Sequence, residues 1–264
     1  MKAEQLFNVR GYAVLVTGAA SGLGLAISEV LAANGAIVGM LDIDSELLHT
    51  AATRLQAGGA QVRTIVIDVT ESERLRQEID EFAKSCGRLD VVFANAGISA
   101  GPGFAVSSVG ELEGVALDAW RRILDINLTS VLVTIQAAAQ HMKKTRSGRI
   151  IVTASIAGLR AERTVGYAYA TTKAGIVNLV RQAAVELAPF NVLVNAIAPG
   201  PFLTEIAGGQ LHRPEVRARF EELVPLGRVA APEEIKGLAL LLASPASSFI
   251  TGTVIAVDGG ATAA

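Results

Sequence analysis

A tyrosine and a lysine four residues apart, Tyr169 and Lys173, are the side chains of this sequence best suited to chemistry. On a helix, residues at this spacing lie on one face, one turn apart, so a phenol would stand beside an ammonium group. A phenol has a pKa near ~10, and a nearby cation lowers that pKa. The pair predicts a general acid–base group, although the same spacing often forms an ordinary solvated helix face.

A glycine-rich turn lies near the N-terminus, where residues 17–24 read Thr-Gly-Ala-Ala-Ser-Gly-Leu-Gly. Glycines permit a tight turn and let a pyrophosphate approach the backbone, and the N-terminus of the following helix attracts anions. A glycine cluster alone is equally consistent with a simple tight turn. Its position between a predicted first strand and first helix favours dinucleotide binding.

Asp42 ends the second predicted strand, eighteen residues beyond Gly24. A carboxylate there accepts hydrogen bonds from a ribose 2′-OH and repels a 2′-phosphate. No basic residue follows directly, since Ile43 and Asp44 come next, and Ser21 precedes the second glycine of the turn. We therefore predict NAD rather than NADP. The alternative is that Asp42 is a helix cap, a role for which Asp44 competes.

Short apolar segments alternate with helical patterns along the whole chain, which predicts a parallel sheet covered by helices. We expect one Rossmann-like, doubly wound α/β domain over residues 1–264, with a cofactor-binding half at about 10–150 and a catalytic and substrate half at about 151–264. The predicted strands are residues 12–16, 37–41, 62–67, 91–94, 150–153, 192–197 and 254–257, and the first predicted helices are 23–33, 45–55 and 72–83.

The composition excludes several classes of protein. A formal charge of −2 gives no basic footprint for nucleic acid, and one cysteine cannot form an internal disulfide. The three histidines are scattered, which argues against a metal site. The N-terminus lacks the apolar core of a secretory signal, and no apolar run reaches the length of a membrane span. We expect a soluble, cytoplasmic protein without a metal and with no nucleic-acid or membrane partner.

The glycine turn and the Tyr/Lys pair together resemble the short-chain dehydrogenase/reductase family, and the resemblance extends in family order from Val14 to Gly260. It implies a catalytic set of Asn127, Ser155, Tyr169 and Lys173. It also implies a set of cofactor-binding residues: Gly18, Ser21, Gly22, Leu23, Gly24, Asp42, Asp68, Val69, Asn95, Ala96, Gly97, Tyr169, Lys173, Pro199, Gly200, Phe202 and Thr204.

Two features depart from the family pattern. Ser155 precedes Tyr169 by fourteen residues, one more than the family usually shows, so Tyr167 becomes a competing base. Tyr167 is six residues from Lys173, on a different helix face, which favours Tyr169. The segment 98–117 is longer than usual and either shapes substrate access or decorates the surface.

The resemblance implies reversible hydride transfer between NAD and a secondary alcohol or ketone, of the sugar, polyol or cyclic alcohol type, in a homotetramer. Lys173 would lower the pKa of Tyr169 and bind the nicotinamide ribose, and Asn127 would hold a water. Residues 201–226 would form a mobile substrate lid, and Arg160 and Arg163 would meet an anionic substrate or merely be exposed. The alternatives are an NADPH-dependent 3-oxoacyl-thioester reductase and a non-catalytic dinucleotide sensor.

Overall fold

The computed structural model describes residues 2–264, which form a single domain with a seven-stranded parallel sheet and helices on both faces. Met1, part of the predicted domain range and N-terminus, lies outside the described residues. The strands are β1 Ala13–Thr17, β2 Ile37–Asp42, β3 Gln61–Val66, β4 Val91–Ala94, β5 Gly148–Thr153, β6 Val192–Pro199 and β7 Val254–Val257. The helices are α1 Ala3–Leu6, α2 Gly22–Ala33, α3 Ser45–Ala57, α4 Ser72–Cys86, α5 Leu117–Leu124, α6 Ser130–Thr145, α7 Tyr167–Leu187, α8 Ile206–Gly209, α9 Pro214–Glu221 and α10 Lys236–Ala243.

The strand order is β3-β2-β1-β4-β5-β6-β7, with every neighbouring pair parallel. The chain builds outward from β1 to β3 and then crosses back to β4 on the other side of β1. In doubly wound sheets this reversal opens a crevice outside the carboxyl ends of the central strands, where ligands bind. A ligand site is therefore expected at the carboxyl ends of β1 and β4. The strand order and the helices on both faces confirm the predicted fold class.

Two apolar cores cover the two faces of the sheet. All five residues of β1 are buried, and they alternate between the cores: Leu15 packs in one, Val14 and Val16 in the other. The first core also contains side chains of α4, α6 and α7, and the second contains side chains of α2, α3 and α10. Burial on both faces explains why the strands are continuous apolar runs.

Local capping fixes where several helices begin and end. Asp44 precedes α3, and its side chain accepts a hydrogen bond from the Leu47 amide at 2.9 Å. Gly87 ends α4 in the left-handed region, at φ 69°, which suits a residue without Cβ. The amide and hydroxyl of Thr70 donate to the Asp68 side chain, and α4 begins two residues later.

The segment Leu117–Thr145 is one continuous 29-residue helix, in which a π-helical turn, Asp125–Thr129, joins α5 to α6. It is the one helix of residues 2–264 long and apolar enough to span a membrane by length and composition. More than half of its most apolar stretch, 56%, is buried inside the protein, where α6 packs against α4, α7 and β5. This packing is that of a core helix.

Candidate active site

Asn95 joins the carboxyl ends of three strands. Its Nδ2 donates to the carbonyl oxygens of Thr17 and Gly18 at 3.0 and 3.1 Å, and its Oδ1 accepts from the Thr153 hydroxyl at 2.9 Å. The Thr17 hydroxyl in turn accepts from the amides of Asn95 and Ala96 at 2.9 and 3.0 Å. Thr17 and Thr153 were not predicted as site residues. The signal was present, because each is a polar residue that ends a buried apolar strand.

The glycine turn is packed too closely for larger residues. A Cβ on Gly18, which has φ 65°, would lie 2.9 Å from the Cα of Ala96, and a Cβ on Gly24 would overlap the Gly18 carbonyl oxygen. The turn leads into α2, whose N-cap residue Ser21 makes no side-chain cap hydrogen bond. The first N–H groups of α2 are therefore open to an anion, as a pyrophosphate requires.

Asp42 lies against this turn. One carboxylate oxygen accepts from the Ala20 amide at 2.9 Å and the other from the Asp44 amide at 3.1 Å. Asp44, not Asp42, caps α3, so the two residues do not compete. A carboxylate oxygen has a second lone pair, so Asp42 retains capacity for a ribose hydroxyl. The turn, the helix end and the carboxylate together fit a dinucleotide.

Asn127 is fully buried within the π-helical turn, a distortion often found at functional sites. Its Oδ1 accepts from the Ile98 amide and its Nδ2 donates to the Ile98 carbonyl, both at 2.8 Å. A Cβ on Gly97 would lie 3.3 Å from that Oδ1 and 3.6 Å from the Lys173 ammonium. The Asn127 side chain thus holds the chain that leaves β4 close to Lys173.

Lys173, Tyr169 and Ser155 form one cluster at the end of β5. The buried Lys173 ammonium donates to the Thr153 carbonyl at 2.8 Å and lies 5.6 Å from the centre of the Tyr169 ring. The Ser155 hydroxyl accepts from the Ala157 amide at 3.2 Å, and it is the neighbour that favours the ionised form of the Tyr169 phenol. The structure therefore brings the four residues of the predicted catalytic set together. Asn127 approaches the other three at Gly97, which lies between its side chain and the Lys173 ammonium.

Burial governs the protonation of this cluster. It raises the pKa of Tyr169, and the neighbouring Ser155 hydroxyl opposes that rise only in part. Burial also lowers the pKa of Lys173 to about 8. The raised pKa of Tyr169 therefore differs from the expectation that Lys173 lowers the pKa of this phenol. The cause is desolvation of the phenol, while the Lys173 ammonium makes its hydrogen bond to the Thr153 carbonyl.

Tyr167, the competing tyrosine, lies in different surroundings. Its ring centre is 6.2 Å from that of Phe104, with the planes tilted by 34°. Tyr169, by contrast, has both the hydroxyl of Ser155 and the ammonium of Lys173 beside it. The geometry favours Tyr169 as the acid–base group.

The remaining predicted cofactor residues lie at the ends of β3 and β6. Asp68 accepts from the amide and hydroxyl of Thr70 at 2.9 and 2.8 Å, and Val69 is nearly buried. The Thr204 side chain lies against Gly22, which brings the loop after β6 to the glycine turn. The Phe202 side chain is buried in the core and its backbone pairs with Ala230, so a cofactor contact of Phe202 would come from its backbone. The ring is therefore not presented to a ligand.

Comparison with known proteins agrees with this geometry. The family model described as Enoyl-(Acyl carrier protein) reductase matches residues 18–262. The chain belongs to the short-chain dehydrogenase/reductase family. It is 38% identical to the cis-4-hydroxycyclohexanecarboxylate dehydrogenase of Sinomonas cyclohexanicum, over 94% of this chain and 96% of that protein.

Two solved structures show the range of its relatives. A gluconate 5-dehydrogenase from Burkholderia cenocepacia, in complex with NADP and tartrate, has a TM-score of 0.91 and 32% identity over all of both chains. A 3-oxoacyl-[acyl-carrier protein] reductase from Brucella melitensis, with bound NAD, has a TM-score of 0.84 and 34% identity, covering 97% of this chain and 93% of that one. The family membership makes this protein an oxidoreductase that uses a nicotinamide dinucleotide.

Proposed function

We propose that this protein is an NAD-dependent dehydrogenase that oxidises a secondary alcohol, of the sugar, polyol or cyclic alcohol type, to a ketone, and catalyses the reverse reduction. The observation that carries the proposal is the cluster of Ser155, Tyr169 and Lys173 at the crevice where the glycine turn and Asp42 lie. The names of relatives that act on hydroxycyclohexanecarboxylate and gluconate support this substrate type.

Two of the four catalytic residues act on the substrate hydroxyl. Ser155 and Tyr169 hold it, and Tyr169 removes its proton during oxidation and returns a proton during reduction. When bound, the nicotinamide ring accepts the hydride of the carbinol carbon, so that loss of one proton and one hydride leaves the ketone. Lys173 binds the nicotinamide ribose. Asn127 contacts the relay water through its backbone, because its side-chain amide is bonded to Ile98.

The other expectations stand as part of the proposal. Residues 10–150 supply most of the cofactor contacts and residues 151–264 most of the catalytic and substrate contacts. The enzyme works in the cytoplasm as a homotetramer on a small-molecule substrate.

Asp42 is the reason to propose NAD, because its carboxylate would repel a 2′-phosphate. The test is a panel of secondary alcohols oxidised with NAD or NADP by the wild type and by Asp42→Asn. Asparagine keeps the acceptor oxygen but loses the charge. We expect wild-type kcat/KM to favour NAD by at least about tenfold, and the variant to lose most of that preference. A wild-type preference for NADP would defeat this assignment.

The second candidate is a 3-oxoacyl-thioester reductase, favoured by the likeness to the Brucella reductase, whose structure holds NAD. That likeness means that NAD preference alone does not separate the two activities. The corresponding free ketones and an acetoacetyl thioester are therefore also assayed for reduction, and faster reduction of the thioester than of any free ketone would favour the reductase. Tight NADH binding without turnover of any member would instead favour a non-catalytic sensor.

A further inference from the structure

The two departures from the family pattern meet in space. Within the long segment 98–117, the amides of Gly103 and Ala105 donate to the carbonyls of Thr164 and Arg163 at 3.0 and 3.1 Å. Nearby, the Gly166 amide donates to the Gly101 carbonyl at 3.2 Å. Residues 100–106 and 163–166 therefore pair as a short antiparallel structure, which we call the wall.

The wall is attached to the predicted catalytic residues at both ends. Its first strand follows Ile98, whose amide and carbonyl are both bonded to the Asn127 side chain. Its second strand ends at Gly166, the N-cap of α7, three residues before Tyr169. The wall therefore connects the chain held by Asn127 with the first turn of α7, which carries Tyr169.

The wall carries one cation on an aromatic surface. The Arg163 guanidinium lies 5.8 Å from the centre of the Phe104 ring, which is itself beside Tyr167 and 42% exposed. Within residues 2–264, the Arg163 side chain has no hydrogen bond or salt bridge. Arg160 differs, because it is bonded to Glu162 at 2.8 Å and to the Ala261 carbonyl. Arg163 is thus the arginine of this loop that is available to a ligand.

We propose that Arg163 determines substrate specificity by binding the carboxylate of a hydroxy acid whose apolar part contacts Phe104 and Tyr167. This rests on the proposed function. A guanidinium presents a planar pair of donors that matches a carboxylate, and aromatic rings favour a hydrocarbon chain or ring. The Phe104 ring centre lies 6.2 Å from that of Tyr167 and 5.8 Å from the guanidinium, so one ligand can contact the aromatic pair and the cation together.

The test compares two nearly isosteric substrates, 4-hydroxycyclohexanecarboxylate and its neutral carboxamide, in the wild type and in Arg163→Gln. We expect the variant to lose about ten- to hundredfold in kcat/KM for the acid, mainly through KM, and less than about twofold for the amide. Arg163→Lys, which keeps the charge, recovers part of the loss. Equal losses for acid and amide in Arg163→Gln would overturn the proposal, since they indicate a structural role.

Arg10→Gln is the matched control, because it removes the same charge from an exposed arginine. Arg10 precedes β1 and so lies at the amino ends of the strands, whereas the site lies at their carboxyl ends. We expect it to leave the ratio of acid to amide unchanged. If it changes that ratio as Arg163→Gln does, the effect is one of net charge and the proposal fails.

A binding experiment separates this proposal from the proposed function. Cyclohexanecarboxylate and cyclohexanecarboxamide, which cannot be oxidised, are titrated calorimetrically into wild type and Arg163→Gln in the presence of NADH. Tighter binding of the acid that is lost in the variant supports the Arg163 site, even if no alcohol is turned over and the proposed function fails. Turnover of neutral alcohols with equal binding of acid and amide leaves the proposed function in place and overturns the Arg163 site.

Discussion

At the scale of single residues, Lys173 is the side chain of the site whose burial is least favourable for folding. Its ammonium is buried with one hydrogen bond, to the Thr153 carbonyl. Burial lowers the pKa of Lys173 from 10.5 to about 8, so the folded protein holds this charge less favourably than the unfolded chain does. A residue kept at such a cost to folding is expected where activity requires it.

Replacing Lys173 with methionine should therefore stabilise the protein while abolishing turnover. The shift in pKa corresponds to roughly 3 kcal/mol, and loss of the bond to Thr153 offsets about 1 kcal/mol, leaving a gain of about 2 kcal/mol at pH 7. Because both states are protonated below about pH 8, the gain is complete there. It diminishes between about pH 8 and the ordinary lysine pKa of 10.5, as the folded wild type loses its proton.

Urea unfolding at pH 7 and pH 10 measures this gain, with Lys144→Met, a change at an exposed lysine, as the control. We expect the control to alter the free energy of unfolding by less than about 0.5 kcal/mol. A Lys173→Met protein less stable than wild type at pH 7, or one whose advantage grows with pH, would contradict the account.

Residue types and spacing predicted the members of this site, but not its electrostatics. Tyr169 and Lys173 were predictable because helical spacing places them on one face. The direction of the pKa shift of Tyr169 was not, because it depends on how far the fold buries the phenol. The burial of the Phe202 ring was not predictable for the same reason, since it depends on core packing.

At the scale of elements, the strands were predictable because burial on both faces makes them continuous apolar runs. Their ends were less so: β6 continues to Pro199, two residues beyond the predicted end, because Pro199 pairs with Val257 of β7. No local sequence pattern predicts the pairing that forms the wall. Its two halves are some sixty residues apart, and each appeared in the sequence only as a separate insertion.

Gly103 tests the wall, because a Cβ there would overlap the Arg163 carbonyl oxygen. Gly103→Ala should push the two halves apart, move the N-terminus of α7 and lower kcat/KM by about tenfold or more, since small displacements of positioning elements are costly to catalysis. Melting temperature and kcat/KM measured together show the effect.

Gly237→Ala is the matched control. Gly237 lies in α10 with no atom within 4 Å of an added Cβ, so alanine there should stabilise the protein by roughly 0.5–1 kcal/mol without altering kcat/KM. If Gly103→Ala behaves like this control, the pairing of the wall does not position the site.

At the scale of the whole molecule, several large apolar side chains remain exposed on the single chain. Val185 of α7 is 78% exposed, and Phe249, which precedes β7, is entirely exposed. Isolated apolar residues are normal on a surface, but fully exposed aromatic rings are enriched at interfaces. These positions agree with the proposed homotetramer, in which α7 and the segment before β7 would contact other copies.

Sedimentation equilibrium should therefore give about four times the chain mass of 27.4 kDa. Phe249→Glu should shift the population toward smaller species, because association would bury the introduced charge without a partner. Leu47→Glu, at a half-exposed leucine of α3, serves as the control and should leave the mass unchanged. A wild type that sediments as a stable monomer would refute the tetramer.

The central claim, that Tyr169 is the acid–base group of an NAD-linked dehydrogenase, is tested most directly by comparing Tyr169→Phe with Tyr167→Phe. For each variant, turnover of the best alcohol of the panel is measured together with NADH affinity. We expect Tyr169→Phe to lose at least about a hundredfold in kcat while its NADH affinity stays within a fewfold of wild type. We expect Tyr167→Phe to retain most of its kcat. Retained kcat in Tyr169→Phe, with the loss found in Tyr167→Phe instead, would contradict it.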